Sequence, residues 1–177
     1  MGKRLNFWPL AGFLTVSALG TLAHFAYEWS GKQLLAGAFC AVNESTWEHM
    51  KLLFFPALLF TMIQIAAARE RDGAIPAVRA VSITAGLLLI PVLYYTYTGI
   101  LGRHVLWADI AIFYLAAALT FRLDSCLRRR RRLWEPWQQA AGLLWLWGLA
   151  FLFVWWTFRP PHIGLFLDPA TGRYGIV

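Results

Sequence analysis

Five long apolar runs are the feature of this sequence that most restricts its fold. They cover approximately residues 7–29, 50–68, 75–100, 105–121 and 137–158. The hydrocarbon core of a bilayer is roughly 30 Å thick, which a helix of about 20 apolar residues spans. No linker rich in proline, glycine or serine separates a second domain. We therefore predict an all-α fold, in which residues 1–177 form a single domain built on a bundle of five transmembrane helices.

The low content of charged residues supports a membrane protein over a soluble one. Charged residues make up only 14% of the chain, and hydrophobic residues make up 59%. A soluble domain carries roughly 25% charged residues. The net charge of +7 raises the question of nucleic-acid binding, but the basic residues lie between the apolar runs. Membrane topology explains that distribution better, so we expect the lipid bilayer as a partner and no nucleic acid.

The distribution of lysine and arginine predicts the orientation of the bundle, because basic residues are retained on the cytoplasmic side. With the N-terminus inside, five basic residues face outward and eleven of the 16 face the cytoplasm, namely Lys3, Arg4, Arg69, Arg71, Arg79, Arg122 and the arginine run 128–132. We expect a multi-pass protein of the cell membrane with a cytoplasmic N-terminus. Its C-terminal tail, residues 159–177, is then extracytoplasmic.

The predicted topology gathers all four histidines and five of the nine acids at the outer face: His24, His49, His104, His162, Glu28, Glu44, Glu48, Asp109 and Asp168. The remaining acids, Glu70, Asp72, Asp124 and Glu135, lie beside arginines in inner loops, where we expect ordinary solvated charges. An ionisable group within a membrane-spanning segment is unfavourable unless it faces the bundle interior or a wet cavity. The outer group is therefore the candidate functional site.

Imidazoles and carboxylates delivered by different helices to one cavity form the ligand set of zinc, iron or manganese. We predict that His24, His49, His104 and Asp109 hold a divalent metal ion, with zinc as the first candidate. Glu44 or Glu48 is the predicted general base or acid. Glu28, spaced i, i+4 from His24, and His162 and Asp168 in the tail are predicted to orient the ligands or to form a lid.

Several of these residues also have an ordinary structural explanation, although helix capping does not explain Glu44, Glu48 and His49 together. Ser45 and Glu48 match a capping box at the start of the second helix. Asp109 has Arg103 nearby in sequence as a partner, and His24 suits a neutral core histidine. The apolar stretch after Pro160 and Pro161 and the turn at Asp168 predict that the tail folds back over the bundle as a cap.

Three functions remain open at this point. The first is a metal-dependent hydrolase acting on a lipid or small amphiphile in the outer leaflet. The second is a solute-binding membrane subunit of a transporter, and the third is a non-catalytic membrane scaffold. No specific metal motif such as His-Glu-x-x-His decides among them, and the sequence leaves an oligomer or a partner membrane subunit open.

Two segments resemble the signature of a family of small prokaryotic multi-pass membrane proteins that has no known function. They are residues 24–30, HFAYEWS, and residues 42–52, VNESTWEHMKL. The resemblance extends to Pro160-Pro161-His162 and Asp168-Pro169, and it implies an integral membrane protein of about this size. A more distant similarity, used only as an analogy, is to membrane hydrolases such as alkaline ceramidases, which place His and Asp around a zinc ion. This chain has five predicted spans rather than seven and lacks their His-x-x-x-His pair.

Overall fold

The computed structural model describes residues 7–67, 74–129 and 133–176, and it is all-α. Six helices occur in these ranges: α1 (Phe7–Trp29), α2 (Leu34–Phe39), α3 (Thr46–Ala67), α4 (Ile75–Leu101), α5 (Leu106–Arg129) and α6 (Pro136–Phe158). All but α2 are long and apolar enough to cross a membrane. The predicted all-α fold with five candidate spans is confirmed. The short α2 was not predicted, because a helix of six residues is too short to appear as a membrane-spanning apolar run.

Two helix ends differ from the predicted apolar runs for local reasons. Helix α3 begins at Thr46 rather than near residue 50, because Ser45 accepts a hydrogen bond from the backbone of Glu48 at 3.4 Å and caps the helix. Helix α5 continues to Arg129 rather than ending near residue 121. Its last two turns are polar, so hydropathy alone ends the run too early. Between α4 and α5, Gly102 ends α4 with φ 68°, a left-handed conformation that favours glycine at this position.

Several residues on which the predicted orientation rests lie outside the described residues: Lys3, Arg4, Arg69, Arg71 and Arg130 to Arg132. The same holds for the acids Glu70 and Asp72, and for residue 68 at the end of the second predicted run. A cytoplasmic N-terminus therefore stays a prediction. We call the end of the bundle that residues 159–176 cover the tail end.

The helices pack with α3 and α4 at the centre. Helix α4 packs against α3, α5 and α6, and α1 packs against α3 and α5. A close approach between α4 and α6 depends on Gly142, where an added Cβ would lie 2.7 Å from the backbone of Ala77. Small residues at such crossings are typical of membrane helices, which associate through van der Waals packing.

The tail folds back onto the bundle, as predicted. The Asn43 side chain donates a hydrogen bond to the carbonyl of Gly175 at 2.7 Å, and the Tyr95 hydroxyl donates to the carbonyl of Gly164 at 3.0 Å. Phe166 is buried between the rings of Trp47 and Trp156. These contacts fix residues 164–175 over one end of the bundle.

A buried ion pair joins three elements at the tail end. The Lys51 ammonium lies 2.6 Å from the Glu48 carboxylate, and both side chains are almost completely buried. Lys51 also donates to the carbonyl of Gly37 and to Thr157, and Thr157 donates to Glu48 at 3.0 Å. The carboxylate accepts a further bond from the Val42 backbone. The pair therefore connects α2, α3 and α6, and its polar groups are hydrogen-bonded.

A second buried cluster corrects the expectation that Asp124 is a solvated loop charge. Asp124 is only 1% exposed and accepts two hydrogen bonds of 3.0 Å from Arg128. Arg79, also 1% exposed, lies 3.6 Å from the same carboxylate and donates to Gln64 at 2.9 Å. The expectation is wrong because α5 extends beyond its apolar run, which turns Asp124 towards α4 rather than towards solvent.

We predict that Lys51→Met destabilises the protein strongly, because it leaves the Glu48 carboxylate buried and unpaired. Breaking a buried pair in this way costs about 3–5 kcal/mol. Thermal unfolding in detergent should show a clear loss for this variant and a much smaller one for the double variant Glu48→Leu/Lys51→Met. Lys32→Met is the control, since Lys32 forms an exposed pair with Glu28. Equal melting temperatures for Lys51→Met and Lys32→Met would contradict the prediction.

Candidate metal centre

A cavity of about 360 Å³ lies at the tail end, between α1, α3, α4 and α5. Its deeper wall is apolar and includes Leu52, Ile90 and Ile112. Pro169 and Ala170 of the tail also line it. Most of the lining is apolar, and the exceptions are Thr21, His24, Glu44, Thr46, His49, Tyr94, His104, Asp109 and Tyr114. The cavity thus combines an apolar body with a small set of ionisable groups.

Three of these groups converge closely enough to hold one metal ion. One potential ligand atom each from His24, Glu44 and His49 lies within 4.8 Å of the other two. Glu44 lies between the histidines, with its carboxylate oxygens 3.4 Å from His49 Nε2 and 3.9 Å from His24 Nε2. The two imidazole centroids are 5.3 Å apart. We call these three residues the His24–Glu44–His49 cluster.

The start of α3 fixes two members of this cluster. The Asn43 side chain accepts a hydrogen bond from the Ser45 backbone at 2.9 Å, which shapes the turn that carries Glu44. His49 Nδ1 lies 3.0 Å from the carbonyl of Ser45. When Nδ1 carries the proton and donates to that carbonyl, Nε2 presents its lone pair towards Glu44. A backbone partner for the second ring nitrogen is the usual arrangement around a metal-binding histidine.

The two ring nitrogens of His24 differ in their surroundings, and only Nε2 faces Glu44. Its Nδ1 atom is buried and has no hydrogen-bond partner in the described part of the chain. Its Nε2 atom is 3.9 Å from Glu44, which is too long for a hydrogen bond. Buried polar atoms normally have a partner. A cation bound at Nε2 would leave Nδ1 as it is, so the fit rests on the Nε2 atoms of His24 and His49 and the Glu44 carboxylate, which are donors that a divalent cation binds.

His104 and Asp109 form a second cluster on another wall of the same cavity. Asp109 accepts a short hydrogen bond from the Tyr97 hydroxyl, and its other oxygen lies 3.5 Å from His104 Nδ1. The Tyr97 hydroxyl accepts a bond from the Val105 backbone at 3.1 Å. The sequence reasoning missed Tyr97, for which the only signal is a group of tyrosines near the end of α4. His104 and Asp109 are thus not members of the group around His24.

Two of the three glutamates predicted around the ligands, Glu48 and Glu28, lie away from the cluster. Glu48, predicted as a general base or acid, lies outside the cavity lining in its ion pair with Lys51. Its carboxylate accepts from Val42 rather than from Ser45, so only half of the predicted capping box forms. Glu28 is exposed, and it pairs with Lys32 at 3.5 Å rather than with His24.

The two predicted lid residues differ in their positions. His162 is exposed and stacks on Tyr174, with ring centroids 4.6 Å apart. Asp168 is buried and accepts hydrogen bonds from the Ala170 backbone at 2.9 Å and the Thr171 hydroxyl at 2.7 Å. This turn places Pro169 and Ala170 against the cavity. Asp168 therefore shapes the covering segment without reaching the ionisable groups.

We predict that Asp168→Ala loosens the tail over the cavity. The substitution removes the acceptor of two hydrogen bonds, and bonds to a charged acceptor contribute about 1.5–3 kcal/mol each. Hydrogen–deuterium exchange of residues 168–175 should become at least roughly tenfold faster, because the turn opens more often. Thr171→Val removes one of the two bonds and should have a smaller effect. Unchanged exchange in Asp168→Ala would show that the turn does not hold the tail.

Comparison with known sequences assigns the chain to a family but not to an activity. Residues 2–176 match the model of the DUF6512 family, described as a family of unknown function, and the chain belongs to that family. This confirms the part of the resemblance that concerns a family of unknown function. No curated protein and no solved structure shows a significant match to the chain.

Proposed function

We propose that this member of the DUF6512 family is a metal-dependent membrane enzyme, a hydrolase that acts on an amphiphile of the bilayer. It binds one divalent cation, with zinc as the first candidate, through His24, Glu44 and His49. The observation that carries the proposal is the convergence of these three side chains on the wall of one cavity. His24 Nε2 faces Glu44 at 3.9 Å, too far for a hydrogen bond, which leaves this nitrogen available to a cation.

The ligand set and the distances favour zinc. Catalytic zinc sites use three protein ligands of this kind and leave a fourth position for water or substrate. Tetrahedral zinc with bonds of about 2.0–2.1 Å separates neighbouring ligand atoms by about 3.3 Å. Glu44 Oε2 lies 3.4 Å from His49 Nε2, and Glu44 Oε1 lies 3.9 Å from His24 Nε2, so binding through these atoms requires the three side chains to draw closer together. Glu44 is thereby proposed as a ligand rather than as the general base.

Asp109 and His104 are the proposed proton-transfer groups. A bound zinc ion supplies Lewis acidity and lowers the pKa of a bound water. Both residues line the same cavity as the cluster but are not part of it. The Tyr97 hydroxyl and His104 hold the Asp109 carboxylate from two sides. The buried pair with Lys51 leaves Glu48 unsuited to the role predicted for it.

The apolar floor of the cavity favours an enzyme over a transport subunit. Leu52, Ile90, Ile112 and Phe113 line its deeper part. Transport pathways for ions or polar solutes usually carry polar groups through the thickness of the membrane. The buried charges nearer the opposite ends of α4 and α5, Arg79 and Asp124, form an ion pair with each other. A chamber that is polar at one end suits an amphiphile better than a hydrophilic solute.

We predict about one zinc ion per chain after purification in mild detergent, measured by elemental analysis. Glu44→Gln and His49→Ala should each lose most of it, because each removes a ligand. Glu28→Gln is the matched control, since Glu28 is an acid in the same region that lies outside the cavity. The proposal fails if folded wild-type protein holds no zinc after dialysis against a buffer that contains zinc. It also fails if Glu44→Gln retains as much zinc as Glu28→Gln.

We predict that Asp109→Asn keeps its zinc but loses activity. With p-nitrophenyl dodecanoate as a single-chain ester, kcat should fall by about 10²–10⁴-fold, the usual contribution of a proton-transfer group. Loss of zinc together with activity would instead make Asp109 a ligand, as predicted from the sequence. Activity equal to wild type at full zinc occupancy would remove Asp109 from the mechanism.

A further inference from the structure

We infer that the cavity opens sideways into the bilayer between α1 and α5 and receives a single-chain amphiphile through this opening. The polar end of the amphiphile faces the His24–Glu44–His49 cluster, and its alkyl chain extends towards the lipid. The assignment of the polar end rests on the proposed metal site. The lateral opening stands on separate observations of packing and exposure.

Helices α1 and α5 pack closely at two glycines on the side of the cavity away from the tail. Gly20 of α1 packs so closely against Phe113 of α5 that an added Cβ would lie 2.5 Å from its ring. Gly12 and Phe121 make a similar approach further along the antiparallel pair. Beyond Gly20, facing residues of both helices line the cavity instead, among them His24 and Ile110.

Four side chains that line this part of the cavity are also exposed on the protein surface. Leu106 is 64% exposed, Phe25 47%, Ile110 39% and Tyr114 38%. They belong to α1 and α5, which are both candidate membrane spans. Side chains that border both a cavity and the lipid-facing surface mark an opening between the two. We call these four residues the portal.

A hydrogen bond between α1 and α5 bounds the portal. The Thr21 and Tyr114 hydroxyls lie 3.1 Å apart, and both residues line the cavity. Near the opposite edge, polar side chains of the cavity lining are exposed, since the side chain of Glu44 is 52% exposed and that of His104 is 66% exposed. One side of the cavity thus meets water and another meets lipid. An amphiphile is the class of ligand that satisfies both.

The size of the cavity favours one chain over two. Pockets that bury small molecules span roughly 300–1,000 Å³, and 360 Å³ lies near the lower limit. The contact of Gly20 with Phe113 closes the space between α1 and α5 below the portal. A phospholipid with two chains would need a wider chamber. We therefore assign the ligand class as a single-chain amphiphile with an oxygen-rich polar end that a cation can bind.

The test narrows the portal without touching the cluster. Ile110→Trp adds bulk at the portal, and Leu115→Trp is the matched control on α5, where Leu115 is exposed but lies outside the cavity lining. Binding of dodecanoate to zinc-treated protein in nanodiscs should weaken at least tenfold for Ile110→Trp and stay near wild type for Leu115→Trp. Leu106→Trp, at a more exposed portal position, should act like Ile110→Trp.

A photoreactive dodecanoate with a diazirine at its chain end gives an independent readout. It should label peptides that contain residues 21–25 and 106–114, and Ile110→Trp should suppress the labelling. Equal binding by the Ile110 and Leu115 variants, or labelling elsewhere only, would overturn the portal. Zinc content is measured on the same samples. If protein treated with zinc takes up none and still binds dodecanoate, and Ile110→Trp blocks that binding, the portal is supported and the metal site is refuted. If the protein takes up zinc and does not bind dodecanoate, the metal site is supported and the portal is overturned.

Discussion

The buried pair of Glu48 and Lys51 is the interaction on which the tail end of the bundle depends. A charge in this environment is costly unless its partner and its hydrogen bonds are in place, and here Thr157 and the backbone of Gly37 and Val42 complete them. The pair thereby fixes α2 and α6 against the first turn of α3. Because Glu44 precedes that turn and His49 follows Glu48 directly, the same interaction sets the positions of two members of the candidate metal cluster.

The carboxylates near the tail end have different structural roles, and these roles determine which of them are available for chemistry in the cavity. Glu48 is committed to structure, Asp168 shapes a turn, and Glu28 is paired at the surface. Glu44 and Asp109 are the acids that line the cavity within the described residues. One lies between two imidazoles, and the other is held by Tyr97 and His104. Two carboxylates in such different surroundings suit the two separate roles proposed for them, metal ligand and proton-transfer group.

Much of the fold was predictable, because hydropathy reports directly on the length of apolar helices. The five spans, the turn at Gly102 and the folded-back tail all have local sequence signals. The burial of Asp124 and Glu48 had none, since it depends on partners from other helices, Arg79 in one case and Thr157 in the other. For the candidate site, the predicted topology placed His24, Glu44, His49, His104 and Asp109 at one end of the bundle, and in the structure they line one cavity. The topology could not separate His24 and His49 from His104 and Asp109, because the division depends on how α1, α3 and α5 pack around the cavity.

The fastening of the tail has a consequence for the biogenesis of the protein. Pro169 and Ala170 line the same cavity as His24, although nearly the whole chain separates them, and Asn43 bonds to the carbonyl of Gly175. During synthesis the first helices enter the membrane well before residues 164–175 leave the ribosome. The chamber is therefore finished only when residues 164–175 dock. Until then, the cavity of the nascent chain lacks one wall, although His24, Glu44 and His49 are already in the membrane.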